Sequence, residues 1–151
     1  MQETVQIEQL VENTQKKKNE TIVQDQVPGG VYLCQVNEGV SCGACCGLYN
    51  VADTCRSHIM HILQERTRRF ANIARTVSDI ETFGRQTRQI EPRQRPFKDF
   101  HHCPYLGLIG SGCNRVGCLL HPMANGNSGI DLRGLSYYGG LACRTYFFPA
   151  T

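Results

Sequence analysis

Apolar residues recur at helical spacing through one long stretch of the chain. Cys55, Ile59, Ile62, Leu63, Phe70, Ile73, Ala74, Val77 and Ile80 fall on one face of a helix. The pattern predicts a helix over residues 54–83, with Asp53 as its N-cap and Gly84 as its stop. Drawn straight it would run about 45 Å, more than a compact domain of this size needs. Ser78-Asp79-Ile80-Glu81 has the form of a capping box, where such a helix can break and restart. A shorter amphipathic helix is predicted over residues 3–20 from Val5, Ile7, Leu10 and Val11, and it ends in a solvated run around Lys16-Lys17-Lys18. Pro28-Gly29-Gly30 marks a turn, and Val31-Tyr32-Leu33-Cys34-Gln35-Val36 reads as a strand from its β-branched and aromatic content.

Residues 85–99 are polar and arginine-rich, with Pro92 and Pro96, and read as an exposed linker. From Phe100 to Thr151 no helical period is visible. Glycine, cysteine and aromatic residues dominate there and charges are few. The fold class expected is a small, metal-stabilised α+β domain: one long helix, short strands, and a glycine-rich irregular half wrapped around a metal site. Residues 1–30 form a helical extension in this reading, and residues 31–151 a single cysteine-cluster domain.

Composition changes this picture through cysteine. Nine cysteines in 151 residues is an odd number, so a complete intramolecular disulfide framework would leave one over. The opening residues carry acid early and no apolar core, unlike a secretory signal, and no segment reaches the roughly 18 apolar residues of a membrane span. A cysteine-dense chain without an export signal is expected in a reducing, cytoplasmic compartment, where thiolates ligate metals rather than pair. The net charge of +3 is unevenly placed: residues 56–95 hold nine arginines against four acids.

The densest chemistry is Ser41-Cys42-Gly43-Ala44-Cys45-Cys46-Gly47. Three cysteines fall within five residues, with glycine or alanine in every gap, so the backbone can fold tightly and bring thiols to a common point. Adjacent Cys45 and Cys46 diverge, which suits a multinuclear cluster, two neighbouring metals, or one ligand beside one packing residue. Cys34 precedes this knot. Cys103, Cys113, Cys118 and Cys143 follow far downstream, in Phe100-His101-His102-Cys103-Pro104-Tyr105-Leu106, Gly112-Cys113, Gly117-Cys118-Leu119-Leu120-His121-Pro122 and Ala142-Cys143-Arg144-Thr145-Tyr146-Phe147-Phe148-Pro149.

In these elements the chain resembles the YkgJ-type CxxCxxCC cysteine-cluster family, a zinc- or iron-chelating domain. Cys42, Cys45 and Cys46 match the family's last three knot cysteines. Cys103 with Leu106, then Cys118 with His121 and Pro122, then Cys143 with Arg144 and Pro149 match the later elements. The family's first knot cysteine falls at Gly39 here, with Cys34 as its substitute. The interval from Cys118 to Cys143 is longer than the pattern, with an inserted turn at Asn125-Gly126-Asn127-Ser128-Gly129, and Cys113 is an addition. The resemblance implies bound metal over residues 34–50 and 100–149.

The expected ligands are therefore Cys34, Cys42, Cys45, Cys46, Cys103, Cys113, Cys118 and Cys143. They suffice for two Cys₄ zinc sites or for a 4Fe-4S cluster with one further centre. Only one C-x₂-C knuckle is present, from Cys42 to Cys45, and Cys103-Pro104 is like the Cys-Pro that closes ferredoxin-type runs, so iron–sulfur is favoured over zinc. Cys55, on the apolar helix face, is expected as a buried thiol. His102, or His101 beside it, is placed as a cofactor contact to a cysteinyl sulfur. Arg144 is placed to offset thiolate charge. His121 is expected to pack beside Pro122 rather than ligate, and Tyr137, Tyr138, Tyr146, Phe147 and Phe148 to shield the centre.

The function expected is a metal-binding protein in electron transfer or accessory to a larger enzyme, with a partner protein or redox enzyme. The competing expectation is a zinc-stabilised module that contacts nucleic acid or protein through an arginine-rich helix, with Arg66, Arg68, Arg69 and Arg75 along one flank. No serine–histidine–aspartate grouping, phosphate loop or paired-carboxylate pattern points to a standard enzyme class.

Overall fold

The structure is a computed structural model and describes residues 31–32, 35, 41, 43–44, 46–91, 95–137 and 147–148. In chain order the elements are β1 (Val31–Tyr32), α1 (Arg56–Ala71), α2 (Val77–Ile90), β2 (Leu106–Ile109), β3 (Arg115–Cys118), a 3₁₀ turn (Arg133–Leu135) and β4 (Phe147–Phe148). β1 pairs antiparallel with β4, so the two ends of the region from residue 31 onward meet. β2 and β3 form an antiparallel hairpin in the register Leu106↔Cys118, Gly107↔Gly117, Leu108↔Val116, Ile109↔Arg115. The α+β class is as expected. Among the described residues no helix is long and apolar enough to cross a membrane. The helix expected over residues 3–20 lies outside the described residues.

The long helix expected over 54–83 is two helices, and the linker expected over 85–99 begins inside the second. The break falls at residues 72–76, just ahead of the capping-box sequence. Asn72 closes α1, Thr76 is the N-cap of α2, and the Asp79 backbone N–H donates to its hydroxyl at 3.2 Å. Arg75 braces the break by donating to the Phe70 and Ile73 oxygens at 2.8 and 2.7 Å. Its guanidinium also lies over the Phe70 ring, 4.2 Å from the centroid. Across the break, Ile80 and Phe83 of α2 join the same core as Phe70 of α1.

That core contains Phe70 from α1, Ile80 and Phe83 from α2, Tyr105 and Ile109 around β2, and Leu119, Leu120, Ala124 and Leu132 beyond β3. A second cluster, Leu63 with Leu106 and Leu108, joins α1 to the hairpin. Gly107 makes the close approach possible: a Cβ there would meet Leu119 at 2.7 Å and the Thr67 hydroxyl at 2.8 Å. Thr67 uses that space to accept from the Leu108 N–H at 2.8 Å while donating to the Leu63 carbonyl.

Gly84, expected to stop the helix, is buried inside α2, because the Tyr105 ring occupies the space a side chain would need. Cys55, expected to be buried, is exposed. It is the N-cap of α1, one position before the helix begins and well ahead of its first buried residue, Leu63; its N–H donates to Asp53 at 2.9 Å and its thiol lies 3.3 Å from the same carboxylate. The half expected to be irregular holds the hairpin and then a chain of turns. Asn127 ties these turns to the core by donating to the Leu119 and His121 carbonyls, both at 2.8 Å. Gly126, Ser128 and Gly129 all have positive φ, which agrees with the inserted turn read at 125–129.

Candidate functional site

The knot approaches the second half of the chain through its last residues. The Cys46 N–H bonds back to Gly43, the Gly47 N–H to Ala44 and the Asn50 N–H to Gly47, so the chain coils in successive turns. Gly47 has φ 76°, and a Cβ on it would overlap the His101 carbonyl; both facts require glycine. This coil presents the Cys46 carbonyl to the Cys103 N–H at 2.9 Å, joining positions 57 residues apart.

The thiols meet as well. A hydrogen bond with the Cys46 side chain, with a further one from His101, holds the buried Cys103 thiol well below its ordinary range even though burial works the other way. Cys118 ends β3 opposite Leu106, and both Cys46 and Cys118 pack against the cluster that contains Cys103. The Tyr137 ring stacks on His101 with centroids 4.1 Å apart, so it covers the imidazole that touches Cys103.

The other expected site residues are placed as follows. Cys113 sits in the β2–β3 turn with φ 46°, and its sulfur accepts from Asn125 at 3.2 Å. From Cys118 to Arg115 is three residues of strand, about 10 Å, so Cys113 and Cys118 cannot share one small ion. Cys34, Cys42, Cys45, Cys143 and Arg144 lie outside the described residues. Among the described residues no group of three or more histidines, cysteines and carboxylates is arranged to hold a metal ion.

His102 faces away from the sulfurs. Its Nδ1 is 3.0 Å from the Gly47 carbonyl, and its Nε2 faces Arg66. The histidine that reaches a thiol is its neighbour, His101. His121 is fully buried and accepts from the Met123 N–H at 3.1 Å; burial, with the charge of Arg133 adding to it, pushes its pKa down to about 3, so the ring is neutral.

Sequence reasoning missed the most heavily bonded side chain near the site. Arg66 is 1% exposed and engages Glu91, His102 and the carbonyls of Cys103 and Leu106. Burial by itself would raise the Glu91 carboxyl; the bonds and charge of Arg66 hold it at about 2 instead. The signal was in the pattern, because position 66 continues the buried stripe of Leu63 and Phe70 at i+3 and i+7. Beside this cluster a cleft of about 200 Å³ opens between residues 50–53 and α1, with Ile62, Glu91, Arg95 and His102 among its walls.

The four arginines expected along one flank do not make a basic face. Arg66 is buried, Arg69 bonds Thr87 and lies 5.0 Å from the Phe83 centroid, and Arg75 caps α1. Arg68 faces solvent, paired with Glu65 at 2.7 Å.

No protein-family model, curated protein or solved structure matches this chain.

Proposed function

We propose that this chain binds a metal through cysteine thiolates, as an iron–sulfur cluster or as zinc, with Cys46 and Cys103 supplying part of the donor set. The observation that carries the reading is the contact of Cys46 with Cys103. A thiol from the glycine-spaced knot and a thiol from the downstream half meet in a buried, largely apolar setting, with the His101 imidazole beside them. Soft sulfur donors select zinc or iron–sulfur centres over harder cations. Two thiols do not close a tetrahedral site, so the reading requires further ligands such as Cys42 and Cys45, which precede Cys46 in sequence.

Bound metal would supply either a one-electron carrier or a fixed cross-link between the two halves. The residues around it have plain tasks: Tyr137 and the apolar cluster exclude water, and His101 stabilises charge on the Cys103 sulfur. A role in electron transfer, or as an accessory to a larger enzyme, follows from such a centre rather than from any grouping of acid, base and nucleophile. The nucleic-acid alternative draws on Arg66, Arg68, Arg69 and Arg75 as one solvent-facing flank, and the internal bonds of Arg66, Arg69 and Arg75 speak against that flank.

The test is metal analysis of protein purified without air. Iron with acid-labile sulfide and a broad visible absorbance supports a cluster; colourless protein releasing zinc on acid treatment supports the zinc form. Protein that takes up neither iron with sulfide nor zinc on reconstitution, with its cysteines reduced throughout, ends the proposal.

A further inference from the structure

Arg66 carries five N–H donors, and every one has an acceptor. Nε donates to one oxygen of Glu91. One terminal nitrogen donates to the Cys103 and Leu106 carbonyls at 2.9 and 3.1 Å. The other donates to the second Glu91 oxygen and faces His102 Nε2. A guanidinium nitrogen cannot accept, so the imidazole nitrogen opposite it must. The Gly47 carbonyl likewise only accepts, so His102 carries a proton on Nδ1 and donates it there at 3.0 Å. Were the proton on Nε2, two donors would confront each other and the Gly47 bond would be lost.

The consequence is a continuous path between the two thiol-bearing segments. Arg66 grips both ends of the Cys103–Leu106 turn, and that turn also closes on itself through Leu106 N–H to Cys103 O. His102 grips the residue that follows Cys46, at the glycine whose geometry shapes the end of the knot. Glu91, at the end of α2, fixes the guanidinium from behind through both its oxygens. The links to the two cysteine-bearing segments are side chains on backbone atoms, so the path sets where the two cysteines stand without touching either sulfur.

We propose that Arg66 and His102 are a positioning pair that holds the Cys103 turn and the Cys46–Gly47 end of the knot in register, so that their thiols converge. Its purpose rests on the metal-binding reading; its geometry does not. The test therefore measures convergence without metal. The full chain, in a Cys42→Ser, Cys45→Ser background so that Cys46 is the single thiol of the knot, is equilibrated with reduced and oxidised glutathione. Two thiols lose two protons and two electrons to form the Cys46–Cys103 disulfide, and one oxidised glutathione leaves as two reduced ones. Mass spectrometry of the linked peptide gives the effective concentration of the two thiols.

His102→Gln removes the Nδ1 donor and lowers that value about tenfold or more, in the range that loss of an outer-shell partner commonly costs. His102→Asn puts its amide nitrogen near the Nδ1 position, keeps the donor to Gly47, and stays within about threefold of the parent. Arg66→Lys, which cannot serve both carbonyls and Glu91 at once, falls with His102→Gln. If His102→Gln and His102→Asn behave alike, or if all three variants leave the value unchanged, the pair does not position the thiols. A parallel cobalt(II) titration of the otherwise unaltered chain reads the sulfur-to-metal absorption. No band in the wild type defeats the zinc form of the metal reading, reconstitution with iron and sulfide decides the iron form, and the glutathione result still decides the positioning pair.

Discussion

The Tyr105 hydroxyl donates to the Ile80 carbonyl of α2 at 3.0 Å, and it reaches that atom across the bare backbone of Gly84. A tyrosine from the hairpin side thus bonds a helix carbonyl that is already one of the helix's own acceptors. Burial pushes the hydroxyl up to about 12, so it remains a donor at any physiological pH. The helix glycine is a packing feature.

Gly84→Ala therefore lowers stability although alanine is the better helix former. The propensity gain is about 1 kcal/mol, and forcing Tyr105 aside costs about 1–3 kcal/mol with the hydrogen bond lost besides. Urea denaturation should show net destabilisation of about 1–2 kcal/mol. Tyr105→Phe alone should cost about 1 kcal/mol. In the double variant the losses should be less than additive, because the hydroxyl is the atom that Cβ strikes first. Strict additivity would show that the two do not meet.

Gly47→Ala should be more severe. It places a side chain at φ 76° and against the His101 backbone, which has no flexible end to move aside. The expected loss is about 2 kcal/mol or more, with the Cys103 amide losing its protection from hydrogen exchange as its bond to Cys46 breaks. Unchanged protection at Cys103 would contradict this account of the knot.

Acid should weaken the fold through Glu91. Its carboxyl sits at about 2 when folded against an ordinary 4.5, so between these values the unfolded chain binds more protons. Stability then rises with pH through that window and is fully present above about 4.5. Asp131, which burial would raise but Arg133 lowers, acts in the same direction. Glu91→Gln leaves Arg66 without its carboxylate and should be less stable at pH 7, with a shallower loss of stability between pH 5 and 2 measured by thermal melts at about half-unit steps. An equally steep acid limb in the variant would place the coupling elsewhere.

Asn50 is 0% exposed and donates to the Phe97 and Phe100 carbonyls at 2.9 and 3.0 Å while accepting from the Phe97 N–H at 3.1 Å. Asn50→Ala should cost about 2 kcal/mol and increase proteolysis at residues 95–100, because these bonds cross from the knot to that loop. A variant as resistant as the parent would show the loop to be held by other contacts.

Thiol reactivity should divide by position. Cys55, exposed at the N-cap of α1, should be alkylated by iodoacetamide well before Cys103, which is 4% exposed. Cys55→Ala should leave melting within about 0.5 kcal/mol of the parent. Mass spectrometry after timed quenching gives the order, and faster labelling of Cys103 would overturn its buried placement.

Much of the architecture was legible in the chain. Ile59, Ile62, Leu63, Phe70, Val77 and Ile80 of the apolar stripe lie on helix, and the turn read at 125–129 is a turn. These depend on neighbours in sequence, through spacing and the freedom of glycine. Legibility stopped where a residue's role depends on a distant partner. Cys55 carries the right spacing for the core but stands one residue before the helix. Gly84 reads as a stop until Tyr105, 21 positions later, is known to lie against it. Arg66 reads as one of a row of surface cations until Glu91 and the Cys103 turn supply acceptors.

The sequence by itself determined that this would be a small α+β chain with an apolar helical face, a glycine-spaced cysteine knot and a cysteine-bearing second half, since local spacing and backbone freedom are properties of consecutive residues. Only the tertiary structure decided that the helix breaks at residues 72–76, that Arg66, Arg69 and Arg75 bond inward, and that Cys46 meets Cys103. Those outcomes depend on where a carbonyl or carboxylate from another part of the chain comes to rest. Burying a charge or bringing two thiols together is favourable only when such partners are already in place.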